Sequence, residues 1–110
     1  MKEQFEKNIE EQAALFAALS DATRLRLIKL LSSQRSPDAL CVNALASILG
    51  ISQSAVSQHL RILRSAGLVK GKRRGYRIHY SMNPEIFSLY RHLIAAVLSI
   101  DESENKVEQK

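Results

Sequence analysis

The chain has 110 residues, of which 45% are hydrophobic and 25% charged, and its formal net charge is +5 at pH 7. This length fits one domain with a modest hydrophobic core. The single cysteine, Cys41, excludes an intramolecular disulfide, and the longest apolar stretch, 93–100, is too short to cross a bilayer. We therefore expect a cytoplasmic protein without a membrane segment.

The positive charge is concentrated in the middle of the chain. Residues 1–12 and 101–110 each carry two lysines and four acidic residues, so both ends have a net charge of −2. Residues 13–100 hold the other 12 basic and 3 acidic side chains, a net charge of 12 − 3 = +9. Seven of these basic residues lie in 61–77, which has no acidic residue. Such a block fits a polyanionic partner, although a solvated basic face has the same composition.

The first half of the chain has helical periodicity. Apolar residues recur at helical spacing over 4–19 and 22–32, and Ser20 and Asp21 between these stretches are typical helix-capping residues. Residues 33–40, which contain Ser36-Pro37-Asp38, predict a loop. A third helix is predicted over 42–49, where apolar residues follow the i, i+3, i+4, i+7 pattern.

A tight turn is predicted between this third helix and a fourth. Gly50 suits the end of a helix because it tolerates a positive φ, and Ser52 suits the start of the next because its hydroxyl can cap it. Ile51 lies between them as an apolar anchor. The fourth helix is predicted over 53–66, ending at Gly67, with Val56, Leu60 and Leu63 as its buried stripe.

Two short strands are predicted next, over 68–73 and 76–81. Arg74-Gly75 is predicted as the two-residue hairpin turn. Alternation along the second strand places Tyr76, Ile78 and Tyr80 on its packed face. A final helix is predicted from Asn83-Pro84 to about residue 99 or 100. Residues 1–100 would then form one domain, and the polar residues 101–110 a disordered tail.

The order of helix, tight turn, helix and basic hairpin predicts binding to double-stranded DNA. In a helix-turn-helix the first helix supports the second, whose early residues read base edges in the major groove. The candidate base-reading residues are Gln53, Ser54, Ser57, Gln58 and Arg61. A cation-rich hairpin suits the adjacent phosphate backbone or minor groove. Its candidate DNA-binding residues are Lys72, Arg73, Arg74 and Arg77, with Lys70 nearby.

Three strings carry a resemblance to the ArsR/SmtB family of repressors: LSDATRLRLIKLL (19–31), ISQSAVSQHLRILRSAGLV (51–69) and KGKRRGYRIHYSM (70–82). The family usually has proline where this chain has Ala22. The resemblance implies a mainly α-helical winged helix-turn-helix with a small antiparallel β-hairpin, in the order α-α-α-α-β-β-α. It also implies a homodimer in which the first and last helices pair across the twofold axis, and binding to an imperfect inverted repeat in a promoter.

The last helix itself predicts a partner, because it is apolar on two adjoining faces and one small core cannot cover both. A twofold homodimer is the expected solution. The alternative is a helix that lies in a groove of its own subunit. The predicted dimer-interface residues are Phe5, Ile9, Leu89, Leu93, Ile94 and Val97.

No metal site and no cofactor are predicted. Many members of the family release DNA on binding a metal, through paired cysteines at the start of the third helix or Asp and His ligands on the last. Here Asn43 replaces the second cysteine, and Glu85 with a lone His92 does not match the other pattern. His59 is expected to pack or to contact phosphate. Cys41 is interpreted either as a small buried hydrophobic residue or as a candidate redox residue.

Two other functions remain open, and a third is not expected. A winged-helix module that binds a protein or RNA would show binding with weak salt dependence. A metal-responsive repressor would need a site of non-standard composition. An enzyme is not expected, because no nucleophile–base pair, glycine-rich phosphate loop or paired carboxylate is visible. The sequence identifies neither the effector nor the operator.

Overall fold

The computed structural model describes residues 2–34 and 40–98, with side chains from Ile9 onward. It is mainly helical with a small antiparallel sheet, which confirms the predicted fold class. Its elements are α1 (Lys2–Leu19), α2 (Ala22–Ser33), β1 (Leu40–Cys41), α3 (Val42–Leu49), α4 (Gln53–Ser65), β2 (Val69–Arg74), β3 (Arg77–Met82) and α5 (Pro84–Leu98).

The short strand β1 replaces the end of the predicted loop. It pairs antiparallel with β3, with Leu40 opposite Tyr80 and Cys41 opposite His79, so the sheet order is β1-β3-β2. The Gln34 amide Nε2 donates to the Tyr80 carbonyl at 3.0 Å, and its Oε1 accepts from the Leu40 amide at 3.2 Å. These bonds join the end of α2 to the sheet. Residues 35–39, which include Ser36-Pro37-Asp38, lie outside the described residues.

The hairpin of β2 and β3, here called the wing, differs from the prediction by one residue. Arg74 is opposite Arg77 in the ladder, so the turn is Gly75-Tyr76 and not Arg74-Gly75. Gly75 has a φ of +65°, which the first position of a two-residue hairpin turn favours. Tyr76 therefore becomes the second turn residue and is fully exposed, whereas Tyr80 is 8% exposed. The prediction that Tyr76 packs was wrong.

The hydrophobic core lies where α2, α3, α4 and the base of the wing meet. Its fully buried side chains are Leu27, Leu45, Val56, Leu60, Leu63 and Leu68. α5 is attached to this core through Tyr90, which is 4% exposed. The Tyr90 ring packs edge-on against Phe16 of α1, with 5.9 Å between ring centroids. These contacts hold the last helix beside the first.

The end of the chain is described to Leu98. The predicted end of the last helix at 99 or 100, the domain boundary at residue 100 and the tail over 101–110 therefore lie outside the described residues. Among the helices that the structure describes, none combines the length and apolar character needed to cross a membrane.

Candidate nucleic-acid interface

A rigid turn joins α3 to α4. Gly50 adopts the left-handed conformation, with φ 68° and ψ 32°, and its amide donates to the Ala46 carbonyl at 2.9 Å. The Ile51 amide donates to the same carbonyl at 3.2 Å. The Ser52 hydroxyl then caps α4 by accepting from the Ala55 amide at 3.1 Å. The predicted helix end, turn and N-cap are confirmed, and together they fix the direction of α4.

The helix α4 has one buried and one exposed face. Val56, Leu60 and Leu63 are at most 1% exposed and form part of the core, as predicted. The opposite face consists of exposed polar residues: Gln53, Ser54, Ser57, Gln58 and Arg61. Their spacing places them on adjacent rows of the first two and a half turns. The structure thus brings all five predicted base-reading residues onto one accessible surface.

Hydrogen bonds at the end of α4 fix the wing relative to it. Gly67 has a φ of +78°, and the Leu68 amide donates back to the Leu63 carbonyl at 2.9 Å. The Asn83 side-chain amide donates to the Gly67 carbonyl at 3.0 Å, and the Asn83 backbone amide donates to the Leu68 carbonyl at 3.0 Å. The end of α4 and both ends of the wing are therefore joined at one point.

The wing presents exposed cations: Lys70, Lys72, Arg73, Arg74 and Arg77. Gly71 lets β3 pack closely on β2, because a Cβ at this position would lie 2.8 Å from Ile78 Cγ2. Among the residues that the structure describes, Lys72, Arg73 and Arg77 form no ion pair. Their positive charge is therefore available to an external anion.

A surface cleft of about 550 Å³ separates α4 from the wing. Gln53, Ser54 and Ser57 line it from the start of α4, and Tyr76 and Arg77 line it from the wing. The start of the predicted base-reading face of α4 and Arg77 of the wing therefore border one open groove, which Val42 and Asn43 at the start of α3 also line.

Sequence reasoning missed a polar cluster at the corner between α1 and α2. Asp21 caps α2 by accepting from the Arg24 amide at 3.1 Å. The Arg24 guanidinium donates to the carbonyls of Ala17 and Ala18 and lies 3.4 Å from Nδ1 of His59. The Arg24 backbone hydrogen bond, with the charges of Arg24 and His59, lowers the pKa of Asp21. The cluster connects α4 to the α1–α2 corner through His59, which therefore contacts its own subunit. The sequence indicated only one part of this cluster, the capping residue Asp21 three residues before Arg24.

Comparison with known proteins identifies the family. The family model for bacterial regulatory proteins of the arsR family matches residues 21–70. The arsenic resistance transcriptional regulator ArsR2 of Pseudomonas putida (strain KT2440) is 37% identical over 84 residues, which are 76% of this chain and 70% of that protein. This chain belongs to the ArsR family. Its relatives in that family are named as regulators and repressors, in agreement with the expectation that the chain is not an enzyme.

Two further relatives extend this comparison. A transcriptional repressor SmtB homolog of Synechocystis sp. (strain PCC 6803) is 44% identical over 85 residues, 76% of this chain. The match covers 61% of that protein, so this ArsR-family chain spans about three fifths of its relative's length. A homodimeric winged helix-turn-helix DNA-binding domain of Mycobacterium bovis, solved by NMR, superposes with a TM-score of 0.67 at 26% identity. That superposition covers 86% of this chain and 83% of the other, and it supports the winged helix-turn-helix assignment.

Cys41 precedes α3, where this ArsR-family chain has only one thiol. It is 8% exposed, as the interpretation of a small buried residue expects, and its role as a redox residue stays a prediction. Among the described residues, no three side chains of His, Cys, Asp or Glu form a cluster able to hold a metal. His92 is exposed on α5, with Nδ1 2.9 Å from the Ser88 carbonyl.

The predicted dimer residues lie on α1 and α5. Five of them have described side chains: Ile9, Leu89, Leu93, Ile94 and Val97. Leu93 is half-buried and the other four are exposed, for example Leu89 at 47% and Val97 at 50%. Phe5 lies in α1, before the first residue whose side chain the structure describes. Since Tyr90 and Phe87 of α5 already pack within the subunit, the exposed apolar residues form a second face of this helix that its own subunit does not bury.

Proposed function

We propose that this ArsR-family chain is a sequence-specific DNA-binding transcriptional regulator that acts as a homodimeric repressor at an inverted-repeat operator. The main support is that the first exposed polar residues of α4 (Gln53, Ser54 and Ser57) line the same open cleft as Arg77 of the cation-rich wing. A helix that enters the major groove and a wing on the adjacent backbone need this arrangement.

Base reading is assigned to the start of α4. The amide side chains of Gln53 and Gln58 can bond adenine in a bidentate manner, Arg61 can bond guanine or phosphate, and serine hydroxyls suit either partner. All of these groups are exposed. The Ser52 cap leaves amide donors at the N-terminus of α4, which also attract a phosphate oxygen.

Affinity is assigned mainly to the wing. Lys72, Arg73, Arg74 and Arg77 are exposed on a hairpin fixed to the end of α4. Cations that replace condensed counterions on DNA give affinity that falls steeply with salt. Such contacts position the protein on the duplex but do not themselves select a sequence.

Dimerisation is assigned to α1 and α5. Their exposed apolar side chains would be buried by a second copy of the chain, and the M. bovis neighbour is homodimeric. A twofold dimer presents two copies of α4 to half-sites one helical turn apart, roughly 34–36 Å. DNA binding is expected to be independent of the usual family metal sites, since Cys41 and His92 lack the partner ligands that those sites require.

Fluorescence anisotropy with labelled duplexes tests the proposal. Protein in chelator is titrated against DNA from upstream of its own gene and against a scrambled duplex, at several salt concentrations. We expect tighter binding to the upstream DNA, a salt slope of several neutralised phosphates and no change on adding zinc. Equal, weakly salt-dependent binding to both duplexes would favour the protein- or RNA-binding module, and release by zinc would favour a metal site of non-standard composition.

A further inference from the structure

We propose that Tyr76, at the tip of the wing, determines specificity by reading the minor groove beside each half-site, where it favours A·T over G·C pairs. This inference rests on the proposed function, and it assigns to the wing a role in sequence selection in addition to phosphate binding.

Tyr76 lies at the tip of the wing with its side chain uncovered. It is the second residue of the wing turn, after Gly75, and its side chain is fully exposed. The other two tyrosines, Tyr80 and Tyr90, are buried. Tyrosine is not among the residues that such turns prefer, which are glycine, asparagine and aspartate, and no packing against the described part of the chain explains its presence here. Its ring is therefore available to a ligand that the wing contacts.

The wing extends from α4 towards the DNA that flanks the recognition helix. When α4 lies in the major groove, a sugar–phosphate backbone borders that groove on either side, and the minor groove lies beyond the backbone. The cleft that separates Gln53 and Ser57 from Tyr76 and Arg77 is open, so one backbone strand can occupy it. The wing then lies over this strand, and its tip reaches the flanking minor groove.

The chemistry of tyrosine suits the minor groove of A·T pairs. That groove shows only the acceptors adenine N3 and thymine O2 at A·T pairs, whereas guanine adds a protruding amino group. The phenol hydroxyl can donate to these acceptors while the ring packs on the deoxyribose walls. Arg74 and Arg77 flank the turn and are exposed, and the narrow minor groove of A·T-rich DNA attracts such cations. At a G·C pair the protruding guanine amino group would obstruct the approach of the ring and hydroxyl to the acceptors on the groove floor.

The experiment compares three duplexes that share one core operator and differ only in the flanking pairs, which are A·T, G·C or inosine·C. Inosine lacks the guanine amino group, so inosine·C has the minor groove of A·T with the major groove of G·C. We expect the wild type to bind the A·T and inosine·C duplexes equally and the G·C duplex about fivefold more weakly.

Substitutions assign the effect to the side chain. Tyr76→Ala should bring the three affinities within about twofold of one another while retaining preference for the core operator over scrambled DNA. Tyr76→Phe keeps the ring and should reduce the discrimination in part. Lys72→Ala is the matched control, because it should weaken all three duplexes by the same factor. Thermal unfolding checks that each variant is folded, as expected for exposed residues.

Two results would overturn the inference: equal binding of the three duplexes by the wild type, or an unchanged G·C penalty in Tyr76→Ala. Failure of the proposed function has a different outcome, in which the wild type does not prefer the core operator to scrambled DNA.

Discussion

Gln58 and Arg61 are the side chains that best separate base reading from phosphate binding. Both are exposed on the first three turns of α4. Replacing either with alanine should cost about 1–3 kcal/mol on the operator, and far less on scrambled DNA, if the contact is a bidentate one to a base. Anisotropy titrations of both duplexes measure this difference. Arg64→Ala, in the last turn of the same helix, is the control, and it should leave the operator preference intact. Equal losses on both duplexes would show that Gln58 and Arg61 touch only phosphate.

Tyr90 carries a pH-dependent contribution to stability. Its hydroxyl is buried without a hydrogen-bond partner among the described residues, and burial raises its pKa to about 12 from 10.0. The unfolded chain therefore loses this proton at lower pH than the folded protein. The free energy of unfolding therefore contains a contribution from protonated Tyr90 that is fully present below pH 10 and is lost as the pH rises through 12.

Tyr90→Phe tests this contribution by removing the hydroxyl while keeping the ring contacts with Phe16 and Phe87. Near neutral pH its free energy of unfolding should equal or exceed that of the wild type, because no hydrogen bond is lost. Between pH 10 and 12 the wild type should lose more stability than the variant in urea unfolding. A strongly destabilised variant at pH 7 would mean that the hydroxyl has a partner, for example across a dimer.

At the scale of the elements, substitutions of Ser52 distinguish two properties of the start of α4. One is the stability that the N-cap gives the helix, and the other is the electrostatic attraction of the helix N-terminus for DNA phosphate. Ser52→Ala removes the hydroxyl that accepts from the Ala55 amide and should cost about 1 kcal/mol in unfolding free energy. Ser52→Asp keeps a capping oxygen and suits the helix dipole. Its negative charge beside a phosphate should nevertheless weaken binding to every duplex about fivefold, roughly 1 kcal/mol. A Ser52→Asp protein that binds DNA like the wild type would place the start of α4 away from the backbone.

The predictability of each element follows from the range of the interactions that form it. α3 and α4 were placed to within a residue, because periodicity, Gly50 and Ser52 are local signals. β1 was missed because it exists only through pairing with Tyr80 and His79, about forty residues later. The wing was displaced by one residue because Gly75 can occupy either position of a two-residue turn, and the ladder decides between them.

The candidate site divides in the same way. The exposed face of α4 follows from spacing alone, so its five polar residues were named from the sequence. Tyr76 was wrongly placed on the packed face because the one-residue shift of the wing moves it out of the strand and into the turn, whereas Tyr80 packs as predicted. The contact of His59 with Arg24 joins residues 35 positions apart, and no local pattern predicts it.

At the scale of the whole molecule, binding to an inverted repeat requires two copies of the chain. Leu89→Glu with Val97→Glu places two carboxylates on the exposed apolar face of α5, where burial in a dimer would leave them without partners. Sedimentation velocity should show that this double variant is a folded monomer. Fluorescence anisotropy should show that it binds the operator more weakly than the wild type does. Ile48→Glu is the control, since Ile48 is also exposed but lies on α3, and its dimer should persist. A double variant that remains dimeric would place the interface elsewhere.

Selection from random duplexes shows whether this chain is a dimer that reads base sequence through α4. Randomised double-stranded DNA is enriched on the protein in chelator at moderate salt and then sequenced, in parallel with the Gln58→Ala variant. We predict an inverted repeat with half-sites about 10–10.5 base pairs apart, and relaxed preference at defined positions of each half-site in the variant. Absence of an enriched sequence, or an identical motif from the variant, would contradict this prediction.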